Sequence, residues 1–225
     1  TKAMILTSPC NPSGSVIHKA ELKRITDLAL EHDIWIVSDE VYEPFVYDGE
    51  EHKSTASFSE EVRGRTITIN AASKMFSMTG WRIGFCAGPS EVMKMMNNMQ
   101  GHLTSNACSL AQQALLGALT DKRTPAYVAK MVKEFKQRRN LLVKRFEDFG
   151  WFCKKPKGAF YAMPDISSTG LGSEKLCDEL LDKARVSCLP GSAFGADHTL
   201  RFSYATAQSE IEAGMDRVAE WLKKK

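Results

Sequence analysis

Two strand-like runs joined by one amphipathic helix constrain this chain most. Residues 3–7 (Ala-Met-Ile-Leu-Thr) form a short apolar run consistent with a buried strand. A helix is expected over residues 19–32, with Leu22, Ile25, Leu28 and Ala29 marking one face. Ile34 to Val37 then reads as a strand apolar on both sides, as in a parallel sheet. Strand, helix and strand at this spacing make a βαβ unit, and such crossovers are right-handed in nearly all proteins. In open α/β sheets ligands bind beyond the carboxyl ends of the strands. Polar residues that follow these strands are therefore the first candidates for chemistry.

Three such residues stand out. Asn11 lies in Ser8-Pro9-Cys10-Asn11-Pro12-Ser13-Gly14, where two prolines and a glycine rule out regular structure. The bond before Pro12 is a candidate for cis. Asp39 ends the second strand in Ser38-Asp39-Glu40-Val41-Tyr42, and spacing alone does not decide whether Asp39 or Glu40 faces the rim. Lys74 follows a third strand-like run, residues 65–69, in a loop of small residues. Gly80 and Gly84 bracket Trp81 and Arg82 just beyond it. Glycine suits a backbone that bends sharply or approaches a ligand closely.

These residue types have natural chemical partners. A lysine amine becomes nucleophilic when it is desolvated or near another cation, and it then condenses with an aldehyde to a Schiff base. Arg82 offers a planar charge suited to phosphate. An aldehyde and a phosphate on one small molecule describe pyridoxal phosphate. Asp39 could keep a pyridinium nitrogen protonated, and Tyr42 or the Asn11 amide could bind a ring hydroxyl. The plain alternatives are a solvated lysine, an aspartate capping its own turn, and a tyrosine with its hydroxyl in water.

Further along, residues 48–64 read as a polar surface loop and Ile83 to Ala87 as a fourth strand. Ser90 with Glu91 starts a helix whose Val92, Met95, Met96 and Met99 share a face. A polar break at residues 103–109 precedes an Ala/Leu helix, Leu110 to Leu119, expected to be buried. A long helix runs from Pro125 to about Phe149, with Arg139 in its one polar slot and Gly150 as its stop. The remainder is α+β in character. Strands are expected at 151–153, 159–163 and 199–205, a capped helix at 173–184, and a capping box at Ser209 and Glu212 opening the last helix. Arg201 lies mid-strand between apolar neighbours, so it needs a carboxylate partner from the protein or from a substrate.

Composition excludes several classes. The net charge of +3 is too small to argue for nucleic acid or an anionic membrane. No apolar run approaches the ~18 residues of a membrane span, and the opening residues do not read as a signal peptide. The five histidines form no ligand-spaced cluster, and the six cysteines form no CxxC pair, so no metal site is expected. Reduced thiols in a cytoplasmic protein are the simplest reading. The chain begins Thr1-Lys2-Ala3 without an initiator methionine, which reads as a piece of a longer protein or a processed one.

Taken together, six stretches resemble the class I, fold-type I aminotransferases that use pyridoxal phosphate, most of all their bacterial aspartate aminotransferase branch. They are Ser8 to Gly14, Asp39 to Tyr42, Ser73-Lys74 with Gly80 to Gly84, Gly158 to Tyr161, Leu189 to Gly195, and Leu200 to Ser203. The resemblance implies an α/β fold: the later part of a mostly parallel-sheet large domain, residues 1–122, and a smaller α+β domain, residues 123–225, that includes the long connecting helix. It implies that Lys74 forms the Schiff base and shuttles the proton, Asp39 pairs with the ring nitrogen, and Tyr42 and Asn11 bind the ring hydroxyl. Arg82, with Ser73 as a partial aid, binds the phosphate, and Arg201 clamps the substrate α-carboxylate. The resemblance further implies a ping-pong reaction between an amino acid and a 2-oxo acid, aspartate and 2-oxoglutarate by default, in a homodimer.

The chain also departs from the family. A phosphate-binding serine found three residues before the lysine in many relatives is Ala71 here, and the family's large upstream segment is not represented. That segment carries a phosphate loop, a ring-stacking aromatic and the determinants of side-chain preference, so the 225-residue chain alone is expected to bind cofactor poorly and to lack turnover. Its sheet is expected to present a raw edge. Two other functions stay open on the same residues: a pyridoxal-phosphate-dependent lyase, of carbon–sulfur lyase or aminocyclopropane-carboxylate synthase type, and a non-enzymatic aminotransferase-like regulator domain.

Overall fold

In a computed structural model, which describes residues 1–225, the strand–helix–strand unit forms as its apolar pattern dictates. Strand β1 (Ala3–Thr7) pairs in parallel with β2 (Trp35–Asp39), and helix α1 (Lys19–Glu31) makes the crossover. Leu22, Thr26 and Ala29 are buried at helical spacing. The Thr26 hydroxyl is satisfied locally, donating to the Lys23 carbonyl at 2.7 Å. His18 caps the helix by accepting from the Ala20 N–H at 3.3 Å, a task more often given to Ser or Asp.

β2 pairs in parallel with β3 (Thr66–Ala71), and β3 pairs antiparallel with β4 (Gly84–Ala87), giving the order β1-β2-β3-β4. The register sets Thr7, Asp39 and Ile69 side by side at the carboxyl ends of the three parallel strands. As expected, the first strand is an open edge, with Ile5 74% exposed. Residues 48–64 are more than a surface loop. They include a 3₁₀ turn at Thr55–Ser57 and helix α2 (Glu60–Arg63), and they bury Thr55 and Val62. Thr55 goes inside because a buried carboxylate needs its donors, as shown below.

Helix α3 (Ala72–Met75) is a single turn after β3. Helices α4 (Ser90–Leu103) and α5 (Ser109–Thr120) follow, separated by the polar break. The expected burial of α5 is corrected: only Ala111 and Leu115 are buried, while Leu110, Leu116 and Leu119 are exposed. One side of the helix finds partners in Ala72 and Ile83, and the other apolar sides find none within the chain. Low polarity reports how much of a helix can be buried, not how many neighbours are present to bury it.

Two compact units result: Thr1–Pro9 with Val16–Lys130, and Cys10–Ser15 with Met131–Lys225. Helix α6 (Thr124–Asp148) begins in the first and continues in the second, where Phe135, Arg139, Leu142, Val143 and Phe146 are buried. Arg139 donates to the Pro156 carbonyl at 2.8 Å and to the Asn140 side chain, which is how a guanidinium is accommodated among aromatic residues. Gly150 ends the chain's helical run at φ +72°, a left-handed stop.

The expected strand at 151–153 does not form. Trp151 instead enters the core, its ring 6.3 Å from that of Phe146, which in turn lies 5.0 Å from Phe202. Of residues 159–163 only β5 (Tyr161–Ala162) is a strand. Helix α7 (Ser173–Glu179) passes into a π-helical turn at Leu180–Ala184. β6 (Leu189–Pro190) and β7 (Leu200–Ser203) complete an antiparallel sheet of order β5-β7-β6.

The caps of α7 and of the last helix are corrected too. No neighbouring side chain caps α7; the Asp197 carboxylate accepts from the Ser173 N–H at 3.0 Å and its hydroxyl at 2.6 Å. Helix α8 (Gln208–Leu222) starts one residue before Ser209, so the capping box does not form, and Gln208 donates to Glu212 at 2.8 Å instead.

Candidate functional site

The first unit places Lys74 through a hairpin. Ala71 lies opposite Gly84, and the Ala72 N–H donates to the Ile83 carbonyl at 3.2 Å, so the lysine turn and the Arg82 turn are held together. Beneath them Ala72, Ile83, Ala111 and Leu115 form a buried apolar floor, with Phe76 and Met78 packed against it. Gly84 is needed here: a Cβ would stand 3.0 Å from the Asn70 carbonyl oxygen. On this support Lys74 and Ser73 are half-buried. The Lys74 Nζ lies 5.9 Å from the centre of the Tyr42 ring, and Tyr42 is buried in the turn after β2.

Asp39 ends β2, half-buried, and its Oδ1 accepts from the Val41 N–H at 3.2 Å. It therefore does cap its turn, using one oxygen. Arg82 is exposed, sits at φ +51°, and donates through Nη1 to the Thr79 carbonyl at 2.9 Å. A cavity of about 810 Å³ is lined by Arg82, Ser77, Trp81, Thr104, Asn106 and Cys108 among others; Lys74, Asp39 and Tyr42 are not on its wall. It belongs to the open face left by α4 and α5 rather than to the lysine.

The ambiguity between Asp39 and Glu40 is resolved by a network that sequence reading missed. Glu40 is 2% exposed. Its Oε1 accepts from the Ser38 hydroxyl at 2.8 Å, the Ser54 hydroxyl at 3.1 Å and the Thr55 N–H at 3.1 Å, and its Oε2 meets His52 Nε2 at 3.1 Å. Burial pushes the Glu40 carboxyl up, but the His52, Ser38 and Thr55 hydrogen bonds outweigh it and hold the group below its ordinary range. Glu43 completes the cluster, and there burial wins and raises the carboxyl. His52 is thus not an isolated histidine; its partners lie nine and twelve residues away, at no ligand-like spacing.

In the second unit Asn11 and Arg201 meet. Arg201 Nη1 donates to Asn11 Oδ1 at 2.8 Å. The guanidinium lies between two rings, 4.6 Å from the Tyr161 centre and 5.0 Å from that of Phe194. The protein does not supply the carboxylate partner: Arg201 takes part in none of the ion pairs. Asn11 is itself fixed by its loop. The Ser8–Pro9 and Asn11–Pro12 bonds are cis. Gly14 lies at φ +67°, and its carbonyl accepts from the N–H groups of Lys157 and Gly158 at 2.9 and 2.8 Å. An added Cβ there would stand 2.6 Å from Pro156 Cβ.

The family model for aminotransferases of class I and II matches residues 1–218. The chain belongs to that family. Aminotransferases of this class depend on pyridoxal phosphate. The chain is 45% identical over 227 residues to the aspartate aminotransferase of Pyrococcus abyssi, and 44% identical over 227 residues to the aromatic-amino-acid aminotransferase 2 of Thermococcus litoralis. All of the chain is covered in both cases, and it spans 58% of the length of each relative. Among solved structures it superposes on the aromatic aminotransferase of Pyrococcus horikoshii with a TM-score of 0.95, at 45% identity, covering 100% of this chain and 60% of that one. The aspartate aminotransferase of Thermus thermophilus with maleate gives a TM-score of 0.92, at 38% identity, covering 98% and 56%. The later part of the aminotransferase fold, read from the six stretches, is therefore present. No helix is long and apolar enough to cross a membrane.

Proposed function

We propose that this chain carries the lysine and the substrate clamp of a pyridoxal-phosphate-dependent aminotransferase. The enzyme moves an amino group between an L-amino acid, aspartate by default, and a 2-oxo acid such as 2-oxoglutarate. The observation that carries the reading is Lys74, a half-buried amine set beside the Tyr42 ring on the turn after β3. In this reading residues 1–122 form the large cofactor domain and residues 123–225 the small one, although the compact units divide between Lys130 and Met131 and Cys10–Ser15 groups with the second.

The donor set fits the cofactor group by group. Lys74 offers an amine to the aldehyde carbon, Asp39 a carboxylate to the ring nitrogen, and Tyr42 a phenol to the ring hydroxyl. Arg82, with Ser73, offers the phosphate a cation and a hydroxyl. Bound there, pyridoxal phosphate supplies an electron sink for the pair released when the substrate Cα–H bond breaks. Lys74 would then be the base that takes the Cα proton. Glu40 is already saturated by four donors, which leaves Asp39 as the carboxylate for the ring. Arg201, unpaired by any protein carboxylate and set over the Tyr161 and Phe194 rings, is the cation offered to the substrate α-carboxylate.

The working enzyme is a cytoplasmic homodimer in this reading. The exposed Met95, Met99, Leu110, Leu116 and Leu119 support burial of the α4–α5 face in an assembly. Borohydride reduction of the active enzyme after addition of pyridoxal phosphate, followed by peptide mapping, tests the assignment, because the 225-residue chain alone is expected to bind cofactor poorly. A pyridoxyl group on Lys74 and no other lysine is expected. Label spread over surface lysines would overturn it. Aspartate and aromatic donors should then be compared, because relatives named for each are similarly close.

A further inference from the structure

One thiol pair has no part in the proposed chemistry. Cys177 on α7 and Cys188, the residue before β6, lie with their Sγ atoms 3.4 Å apart, and the Cys177 thiol also points at the Cys188 carbonyl at 3.7 Å. The other four cysteines have no cysteine neighbour of this kind. A disulfide requires about 2.05 Å between sulfurs, so the two must close by roughly 1.3 Å, within reach of small side-chain adjustments. Both thiols are half-buried. They share the wall of a surface cavity of about 420 Å³ with Glu174, Asp178, Leu181 and Pro190, which gives a small oxidant access.

We propose that Cys177 and Cys188 are a dithiol–disulfide site that reacts with small, cationic or neutral organic disulfides. The exposed carboxylates of Glu174 and Asp178 at the cavity select against anionic ones. Cys177 is the attacking residue. Its thiolate displaces one sulfur of the incoming disulfide RSSR, releasing one thiolate and leaving a mixed disulfide on Cys177. Cys188 then loses its proton and attacks Cys177 Sγ, releasing the second RS⁻. The sum is RSSR plus two cysteine thiols giving one protein disulfide and two RSH, so the protein loses two electrons and two protons and the reagent gains them. The Cys177 contact and burial push the Cys188 thiol well above its ordinary value, which leaves Cys177 to open the exchange.

The product has a structural consequence. β6 pairs with β7 so that Leu189 lies opposite Arg201. A bond at Cys188 therefore ties the strand next to Arg201 to helix α7.

The test uses the intact chain and cystamine as the probe. After reaction in native buffer and alkylation of the remaining thiols, trypsin without reductant should release residues 176–183 linked to residues 186–201, lighter by two hydrogens than the separate peptides. Dithiothreitol should restore both. Cys188→Ser should accumulate a cystamine adduct on Cys177, whereas Cys177→Ser should leave Cys188 unmodified at the same dose. Recovery of both peptides fully alkylated from the unsubstituted chain would overturn the proposal. So would an adduct that appears on Cys188 in Cys177→Ser as fast as on Cys177 in Cys188→Ser.

Discussion

Glu40→Gln and Glu43→Gln are expected to move stability in opposite directions, although the two carboxylates share one cluster. Glu40 accepts four hydrogen bonds at 2.8–3.1 Å while 2% exposed. Bonds to a charged acceptor are worth about 1.5–3 kcal/mol each and bonds to a neutral one about 0.5–1.5, so removing the charge forfeits roughly 1 kcal/mol per bond, about 4 in all. A neutral amide is cheaper to bury and returns roughly 1–2 kcal/mol, leaving Glu40→Gln about 2–3 kcal/mol less stable. For a chain of this size that lowers Tm by roughly 4–12 °C.

The pH dependence carries the sign. The Glu40 carboxyl is depressed in the folded state, so its contribution is fully present above the ordinary value of 4.5 and is lost as pH falls through the folded value. The gap between the unsubstituted protein and Glu40→Gln should shrink over that acid window. Burial raises Glu43, assisted by the Glu40 charge and opposed by His52 and Asn70. Its ionisation therefore opposes folding as pH rises above 4.5 and through the folded value. Glu43→Gln should be no less stable than the unsubstituted protein at pH 7. Urea titrations at pH 7 and pH 4 measure both. A Glu40→Gln protein within about 0.5 kcal/mol of the unsubstituted one, or equal losses for the two variants, would refute the reasoning.

Other perturbations separate the remaining arguments. Gly14→Ala, which forces a Cβ to 2.6 Å from Pro156 at φ +67°, should cost about 2–4 kcal/mol in urea unfolding. Gly49→Ala, at φ +81° with open space around it, should cost only about 1 kcal/mol. Arg201→Lys keeps the charge but loses the planar fork between Tyr161 and Phe194; in the active enzyme it should raise KM for the amino acid by about 10–100-fold. In the active enzyme Lys74→Ala should abolish the borohydride label and turnover while changing the unfolding free energy by no more than about 1 kcal/mol, because the side chain is only half-buried.

The parallel unit was legible because its signals are local. Apolar runs at the right spacing place β1, α1, β2 and β3, and glycines that must bend or admit a neighbour place the turn around Lys74 and Arg82. What failed depended on partners far away in sequence. Trp151 looked like a strand residue, yet its indole packs on Phe146 and Phe149, so side-chain burial rather than a ladder fixes its backbone. Ser209 looked like a cap, yet α8 begins a residue earlier behind Ala207. The Ala/Leu pattern of α5 looked like burial, yet only the side facing Ala72 and Ile83 finds cover.

The two adjacent carboxylates show where such reading stops. Successive side chains of a strand point to opposite faces, so Asp39 and Glu40 at the end of β2 cannot serve the same environment. Alternation alone allows either one to face the rim. The choice is made by donors twelve to fifteen residues on: His52, Ser54 and the Thr55 N–H close around Glu40, and Ser38 adds a fourth bond. Without that loop a buried Glu40 would be untenable, since an unpaired carboxylate is costly to desolvate. The polar stretch 48–64 is therefore part of the candidate site's construction, because satisfying Glu40 on one face of the turn is what leaves Asp39 on the other.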